Sequence, residues 1–161
     1  MEKARSWIVK VSYKPGFNDP LGRMVHSDII DLGVKDVSDV RALPTYTLSG
    51  RLQEHDLQRI CTELLADPVT QSFTYSSGGV FEHDADWVVE VYLKRGVTDA
   101  VGETTLKAVK LLGVTDVESA TTGTTYLLRG QLDADSLTLI STKCLANPII
   151  HNCRFYRGSS Q

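Results

Sequence analysis

The chain has 161 residues, with 17 Lys and Arg against 20 Asp and Glu, a net charge of -3, and 42% hydrophobic residues. This composition supports a buried core and is typical of a globular protein rather than a disordered one. The near-neutral charge balance shows no basic stripe, so we expect no nucleic-acid partner. No apolar run approaches the roughly 20 residues that a membrane-spanning helix needs, so we expect no membrane partner either.

The cysteines and the N-terminus indicate the compartment. Cys61, Cys144 and Cys153 are odd in number and lack CxxC spacing, which predicts reduced thiols and a cytoplasmic location. Residues 1–6 carry charges at Glu2, Lys3 and Arg5 and lead into a short apolar stretch without a small-residue cleavage site. We therefore expect no signal peptide.

The sequence repeats itself. A shift of about 80 residues superimposes WIVKV at 7–11 on WVVEV at 87–91, and the register then holds without a gap to Gly78 and Gly158. The shared segments further on include LGV at 32–34 and 112–114. We predict a tandem duplication, with one repeat at residues 1–76, a flexible Gly- and Ser-containing linker at 77–86, and a second repeat at 87–161.

The first half of each repeat is predicted as a strand followed by a helix. Apolar residues alternate from Trp7 and from Trp87, which indicates a strand with one buried face. Asp19, followed by proline, and Asp99 are predicted to cap the helices. The inward positions of the two helices are predicted at Leu21, Val25, Ile29 and Leu32, and at Val101, Val109 and Leu112. Glycine at 33 and 113 is predicted to end them.

The second half of each repeat is predicted as two strands, a helix and a last strand. Short turns at Pro44-Thr45 and Gly123-Thr124 predict hairpins. The helix spans about residues 54–66, and its counterpart ends before Pro148 in the same way. The order is β-α-β-β-α-β twice. We predict an α+β fold with antiparallel sheets and helices on one face, the two repeats packed as a pseudo-twofold dimer through joined sheet edges.

The sequence offers little for catalysis. It contains no phosphate-binding glycine loop, no HExxH and no GxSxG. The four histidines fall at unmatched positions of the repeats, which indicates surface or partly packed side chains; a metal site at His83, Asp84 and Asp86 is the alternative. In the sister repeats Cys144 is matched by leucine and Cys153 by phenylalanine, which indicates packing rather than nucleophilic roles. We predict no catalytic, cofactor-binding or metal-binding residue.

Three motifs carry a family resemblance. Residues 14–22 read KPGFNDPLG and residues 94–102 read KRGVTDAVG. Residues 37–41 read VSDVR, and the helix ends read CTELLADPV from Cys61 and CLANPII from Cys144. These segments resemble the PurS family, the small accessory subunit of phosphoribosylformylglycinamidine synthase, over nearly the whole chain. The departures from the family pattern are Ala42 and Leu43, where the family has Gly-Lys, and Thr121 in place of the arginine.

The resemblance implies a role in purine biosynthesis. The synthase converts formylglycinamide ribonucleotide, glutamine, ATP and water to the amidine, glutamate, ADP and phosphate. A PurS subunit bridges the ATP-dependent ligase subunit and the glutaminase subunit, so that ammonia passes between them protected. The chain itself is then expected to bind no cofactor, with ATP and magnesium belonging to the complex. Two fused units look like a covalent PurS dimer, similar to the N-terminal domain of the single-chain synthase.

Partner contacts are expected at matched surface positions. These candidates are Lys14, Arg41, Asp67, Pro68, Lys94, Asn147 and Pro148. A local structural role for the same residues is the competing interpretation, because prolines stop helices and surface lysines are solvated. Whether the chain is a free subunit or part of a longer synthase, and whether the linked pair self-associates, stays open.

Two other classes of function remain open. Tandem β-α-β-β-α-β units also occur in ACT-type modules that bind small ligands between paired units, and a fold by itself does not decide function. An enzyme with its site between the repeats is the third class. It lacks a matched constellation of His, Cys or carboxylate residues.

Overall fold

The computed structural model describes residues 4–159. The elements of the first repeat are β1 (Arg5–Tyr13), α1 (Pro20–Asp31), β2 (Val37–Gly50), α2 (Glu54–Ile60) with a π-helical turn (Cys61–Leu65), and β3 (Gln71–Ser76). The elements of the second are β4 (Trp87–Leu93), α3 (Ala100–Leu111), β5 (Val117–Gly130), α4 (Ala134–Ile140) with a π-helical turn (Ser141–Leu145), and β6 (His151–Arg157). Within residues 4–159, no helix is long and apolar enough to cross a membrane.

The strands form one six-stranded antiparallel sheet in the order β3-β1-β2-β5-β4-β6. In the first repeat Val9 lies opposite Tyr46 on one side and Tyr75 on the other. In the second repeat Val89 has matching neighbours on β5 and β6. The order reads the same from both ends once the repeats are exchanged, and the repeats join through β2 and β5. The predicted α+β class, with two repeats sharing one sheet and four helices, is confirmed.

The predicted hairpins are wrong. β2 and β5 are each one continuous strand of 14 residues that runs straight through the expected turns. Thr45 is only 1% exposed and pairs with Lys10 of β1. Gly123 has no positive φ, as a hairpin turn would require; a Cβ there would lie 2.4 Å from the Tyr92 ring. This glycine therefore permits close strand contact rather than a turn.

The chain forms two compact units that do not follow the sequence repeats. Unit 1 comprises the chain up to Phe17 with Pro44–Phe81 and Thr98–Thr122, and unit 2 comprises Asn18–Leu43, Glu82–Val97 and the chain from Gly123 onward. Unit 1 thus contains α3 of the second repeat, and unit 2 contains α1 of the first. The division into repeats at 1–76 and 87–161 with a linker at 77–86 stays a prediction about the sequence.

Each unit has its own hydrophobic core made from both repeats. In unit 1, Val109 of α3 packs in the cluster of Val9 and Leu57. In unit 2, Val25 and Ile29 of α1 pack in the cluster of Leu137, Ile140 and their neighbours. The amphipathic spacing predicted these inward positions. Leu21 and Val101, in the first turns of the helices, are exposed instead, so their predicted burial is wrong.

The second helix of each repeat ends where the sequence predicts. The N–H of Ala66 donates to the Cys61 carbonyl at 3.0 Å, and the N–H of Ala146 donates to the Ser141 carbonyl at 2.9 Å. Each of these hydrogen bonds joins residues five positions apart, which widens the last turn into a π-helix. Both alanines are extended, so the chain leaves the helix just ahead of the Asp67-Pro68 or Asn147-Pro148 pair.

The end of the predicted linker is packed in unit 2. His83 and Ala85 are buried. The N–H of Ser159 donates to the His83 carbonyl at 2.8 Å, and the N–H of Gly158 donates to the Asp86 carbonyl at 3.0 Å. Ala85 also packs in a small cluster with Val88. Flexibility predicted from Gly and Ser therefore does not extend to residues 83–86.

Candidate functional site

Asp19 and Asp99, which occupy matching positions of the repeated motif, each join a helix to a long strand. Asp19 caps α1, where its Oδ1 accepts the Gly22 N–H at 2.9 Å, and its Oδ2 accepts the N–H of Ala42 in β2 at 2.9 Å. Asp99 likewise caps α3 and accepts the N–H of Thr122 in β5 at 2.6 Å. The predicted caps are confirmed. Each carboxylate therefore ties the first helix of its repeat to the long strand of the same repeat.

The motif glycines allow the same close contact. A Cβ at Gly22 would lie 2.6 Å from the carbonyl oxygen of Val40, and a Cβ at Gly102 would lie 2.5 Å from that of Ala120. Such distances are incompatible with any side chain, because the obstructing atom belongs to the backbone. The Asp-x-x-Gly pattern therefore fixes how each first helix lies on its strand.

The first corner of the fold is formed by Lys14, Asp67, Pro68 and Val69 in unit 1. The Lys14 ammonium donates to the Pro68 carbonyl at 2.7 Å. Asp67 Oδ1 accepts the Val69 N–H at 2.8 Å, which closes a local turn. Val69 is 69% exposed. The structure thus brings three predicted site residues together beside an exposed apolar side chain.

The second corner is formed by Lys94, Asn147, Pro148 and Ile149 in unit 2. The backbone N–H of Lys94 donates to the Ile150 carbonyl at 2.7 Å. Asn147 Oδ1 accepts the Ile149 N–H at 3.0 Å, and Ile149 is 82% exposed. No residue within 4–159 forms a hydrogen bond or ion pair with the Lys94 ammonium. The two corners therefore have the same local turn, but they differ in the contacts of the lysine side chain.

Arg41 occupies a different setting. Arg41 is predicted on a hairpin, but it lies within the continuous strand β2 in unit 2. Its side chain is half-buried and has a bonding partner. It is therefore not a solvated loop cation of the kind expected at an exposed turn.

The thiols are poorly suited to nucleophilic attack. Burial raises the pKa of the Cys61 thiol to about 12. Partial desolvation also raises the pKa of Cys144 and of the more exposed Cys153. The thiolate is the nucleophilic form, so near neutral pH these side chains are overwhelmingly protonated.

A buried carboxylate, Glu90, is the centre of a polar cluster in unit 2. Glu90 accepts hydrogen bonds from Arg154, with Nε to Oε2 at 2.7 Å, and from the Tyr156 hydroxyl at 2.6 Å. Burial first, and then the hydrogen bond to Glu90, raise the pKa of Tyr156. Burial raises the pKa of Tyr92 to about 12, with a further contribution from Glu90. The cluster is a satisfied ion pair that anchors β6 to β4.

Unit 2 contains a polar cleft of about 750 Å³. It lies at the ends of β4, β5 and β6 and the start of α4, and we call it the unit 2 cleft. Its walls include Trp87, Arg129, Gln131, Asp133 and Arg157. The sequence does not predict this cleft, because its residues are widely separated along the chain. The one signal in the sequence that could indicate the cleft is that the charged residues at these positions differ between the two repeats.

Unit 1 contains a smaller, apolar groove of about 340 Å³ between α3 and the π-helical turn after α2. Leu64 and Val101 line it, and both side chains are exposed. Tyr46 forms part of the floor, and burial raises the pKa of its phenol.

The part of the chain that the structure describes holds no group of three or more His, Cys, Asp and Glu residues placed to bind a metal ion. The alternative metal site at His83, Asp84 and Asp86 is therefore not formed. His83 is buried and lies 6.3 Å from the Tyr156 ring, centre to centre. Asp84 instead pairs with Arg129 at 2.9 Å.

Comparison with known proteins gives one family. The model of the PurS family, described as phosphoribosylformylglycinamidine (FGAM) synthase, matches residues 6–78 and again residues 86–157. The two matches together cover most of the chain, and they show the tandem duplication directly. No curated protein matches the sequence.

Proposed function

The chain belongs to the PurS family, and we propose on that premise that it bridges the ligase and glutaminase subunits of FGAM synthase. Family membership implies the role of a synthase subunit in purine biosynthesis. The observation that carries the proposal is the pair of family matches, each spanning a whole β-α-β-α-β repeat. A chain with two such repeats supplies in one molecule what two PurS subunits would supply as a dimer.

The chemistry of the described residues supports an accessory role. Burial keeps the Cys61 thiol protonated, and Asp19 and Asp99 accept hydrogen bonds from backbone amides. In the proposed complex the glutaminase subunit releases ammonia from glutamine. The ligase subunit uses ATP and magnesium to add that ammonia to formylglycinamide ribonucleotide, and the complex works in the cytoplasm.

We place the partner contacts at the two corners. Each corner combines a lysine with an exposed aliphatic side chain, Val69 or Ile149. A cation at the rim of an apolar contact is a common arrangement at protein interfaces. Arg41, the remaining candidate, lies within β2 and belongs to neither corner.

Reconstitution with the ligase and glutaminase subunits tests the bridge. We expect glutamine-dependent formation of the amidine to require this chain, while synthesis from added ammonia proceeds without it. Comparing the two activities distinguishes a defect in ammonia transfer from a defect in the ligase reaction. Equal glutamine-dependent rates with and without the chain would refute the bridging role.

Charge reversal at the corners tests where the partners bind. Lys94→Glu and Lys14→Glu are each expected to weaken association with one of the two subunits, measured by gel filtration of the mixture. Lys107→Glu is the matched control, because Lys107 is an exposed lysine on α3 outside both corners. Association unchanged by either corner variant would overturn this placement.

A further inference from the structure

We propose that the unit 2 cleft binds a small zwitterion of the α-amino-acid class, with its carboxylate on Arg157 and its ammonium group directed to Asp133. This site is separate from the bridging role and does not depend on it. The volume of about 750 Å³ lies in the range of small-molecule sites.

Arg157 is the anion-binding group of the cleft. Its guanidinium lies over the Trp87 ring at 4.8 Å from the ring centre. Among residues 4–159 no acidic side chain pairs with it. A guanidinium stacked on an aromatic face keeps its N–H edge available for bidentate contact with a carboxylate. The stacking therefore holds an unpaired cation in a defined orientation.

The other charged side chains of the cleft already have partners, and one of them, Asp133, uses a single oxygen to cap α4. Arg129 pairs with Asp84 at 2.9 Å and also donates to the Asp84 carbonyl. Asp86 accepts the Gly130 N–H at 2.8 Å. Asp133 caps α4 with Oδ1, which accepts the Ser136 N–H at 2.7 Å, and its side chain is exposed to the cleft. Asp133 is the anionic group left to meet a ligand cation.

This charge pattern selects a zwitterion over a simple anion. A phosphate dianion bound at Arg157 would enter a cleft that also contains two carboxylates, and like charges at close range oppose binding. A zwitterion instead places its carboxylate beside Arg157 and its ammonium group beside Asp133. The Gln131 amide, which has no hydrogen-bond partner within residues 4–159, adds a donor and an acceptor for the remaining polar atoms.

The matched positions of the first repeat do not reproduce the site. Shifting by one repeat replaces Arg157 by Ser77, and Asp133 by Gln53. The tryptophan is shared, as Trp7 and Trp87. The tryptophan is therefore common to both repeats, whereas the charged groups beside it belong to the second repeat alone. Duplication lets one copy diverge toward ligand binding while the other keeps the fold.

Calorimetric titration of the whole chain with L-alanine, L-glutamine and L-glutamate tests the proposal. At least one amino acid is expected to bind saturably with a dissociation constant of about 1 mM or below. Acetate, which lacks the ammonium group, and inorganic phosphate are expected to bind at least tenfold more weakly. Failure of all three amino acids to bind at up to about 10 mM, or equal binding of phosphate, would overturn the proposal.

Two variants test the assignment of groups. Arg157→Gln is expected to weaken amino-acid binding at least tenfold, whereas Arg95→Gln, an exposed arginine outside the cleft, leaves it unchanged. Asp133→Asn keeps an oxygen for the α4 cap but loses the charge, so it should weaken binding of amino acids and not of acetate. Circular dichroism verifies that each variant folds. Unchanged amino-acid binding in Arg157→Gln or Asp133→Asn contradicts the corresponding contact.

Discussion

Asp19 acts on two elements at once. Its carboxylate satisfies one amide at the start of α1 and the buried amide of Ala42 in β2. Replacing Asp19 by alanine removes the cap, which costs about 1 kcal/mol, and leaves a buried N–H unpaired, which costs about 1–3 kcal/mol. We expect Asp19→Ala to lower the free energy of unfolding by about 3 kcal/mol in urea titrations.

The matched control for this prediction is Asp133→Ala. Asp133 also caps a helix, but its carboxylate is exposed, and its cap hydrogen bond goes to Ser136 in the first turn of its own helix. Its replacement is expected to cost about 1 kcal/mol. Equal losses in the two variants would show that the bond from Asp19 to Ala42 does not contribute to stability.

Cys61 gives a prediction about reactivity. Its thiol is fully buried, which raises its pKa to about 12, whereas Cys153 is exposed. At pH 8 a maleimide is expected to label Cys153 in the native chain and to reach Cys61 only after unfolding in denaturant. Mass spectrometry of the labelled peptides distinguishes the two. Labelling of Cys61 at the rate of Cys153 would contradict its placement in the core.

Residues with local roles were predictable from sequence, and residues of the cleft were not. Asp19 was identified as a cap because the partners that define a cap lie within a few residues along the chain. Arg157, Trp87 and Asp133 come together only through pairing of β4 with β5 and β6. Periodicity carries no information about that pairing.

The exchange of first helices is the main feature at the scale of elements. α3 belongs by sequence to the second repeat, yet Val109 is fully buried in the core of unit 1. Val109→Ala is expected to destabilise the chain by about 2 kcal/mol. Leu111→Ala on the same helix is the control, because Leu111 is 89% exposed and should change stability by less than about 0.5 kcal/mol.

Chemical denaturation with a fluorescence readout measures both variants. Trp7 packs in the same cluster as Val109, whereas Trp87 packs in the core of unit 2. The loss in Val109→Ala should therefore appear in the transition reported by Trp7, observed in a background in which Trp87 is replaced by phenylalanine. An effect no larger than that of Leu111→Ala would mean that α3 does not pack in unit 1.

The strands and helices differ in how far local signals determined them. Alternating residues predicted β1 and β4, and amphipathic spacing predicted α1 and α3, because each pattern reflects one buried face. Neither pattern tells which core receives that face, so the exchange of α1 and α3 was not predictable. The predicted hairpins are wrong because glycine also occurs inside strands: Gly123 pairs with Tyr92 of β4 within one continuous strand.

At the scale of the molecule, the sequence repeat and the folded unit are different objects. The repeat is the unit of duplication, detected by the family model at 6–78 and 86–157. The compact unit is the unit of packing, and each one takes a helix and half of a long strand from the other repeat. A linker near residue 80 therefore joins two repeats that complete each other's cores.

This interdependence predicts the behaviour of a separated repeat. Residues 1–80 alone would lack α3 and β5, so the cluster of Val9 and Leu57 would lose Val109, Val114 and Val117. The corresponding α1 and β2 of a second copy have matching sequences and can take their place. Light scattering is expected to give the mass of a dimer, with a melting temperature that rises with protein concentration. A monomer that unfolds cooperatively at the same temperature at every concentration would show that one repeat can complete its own core.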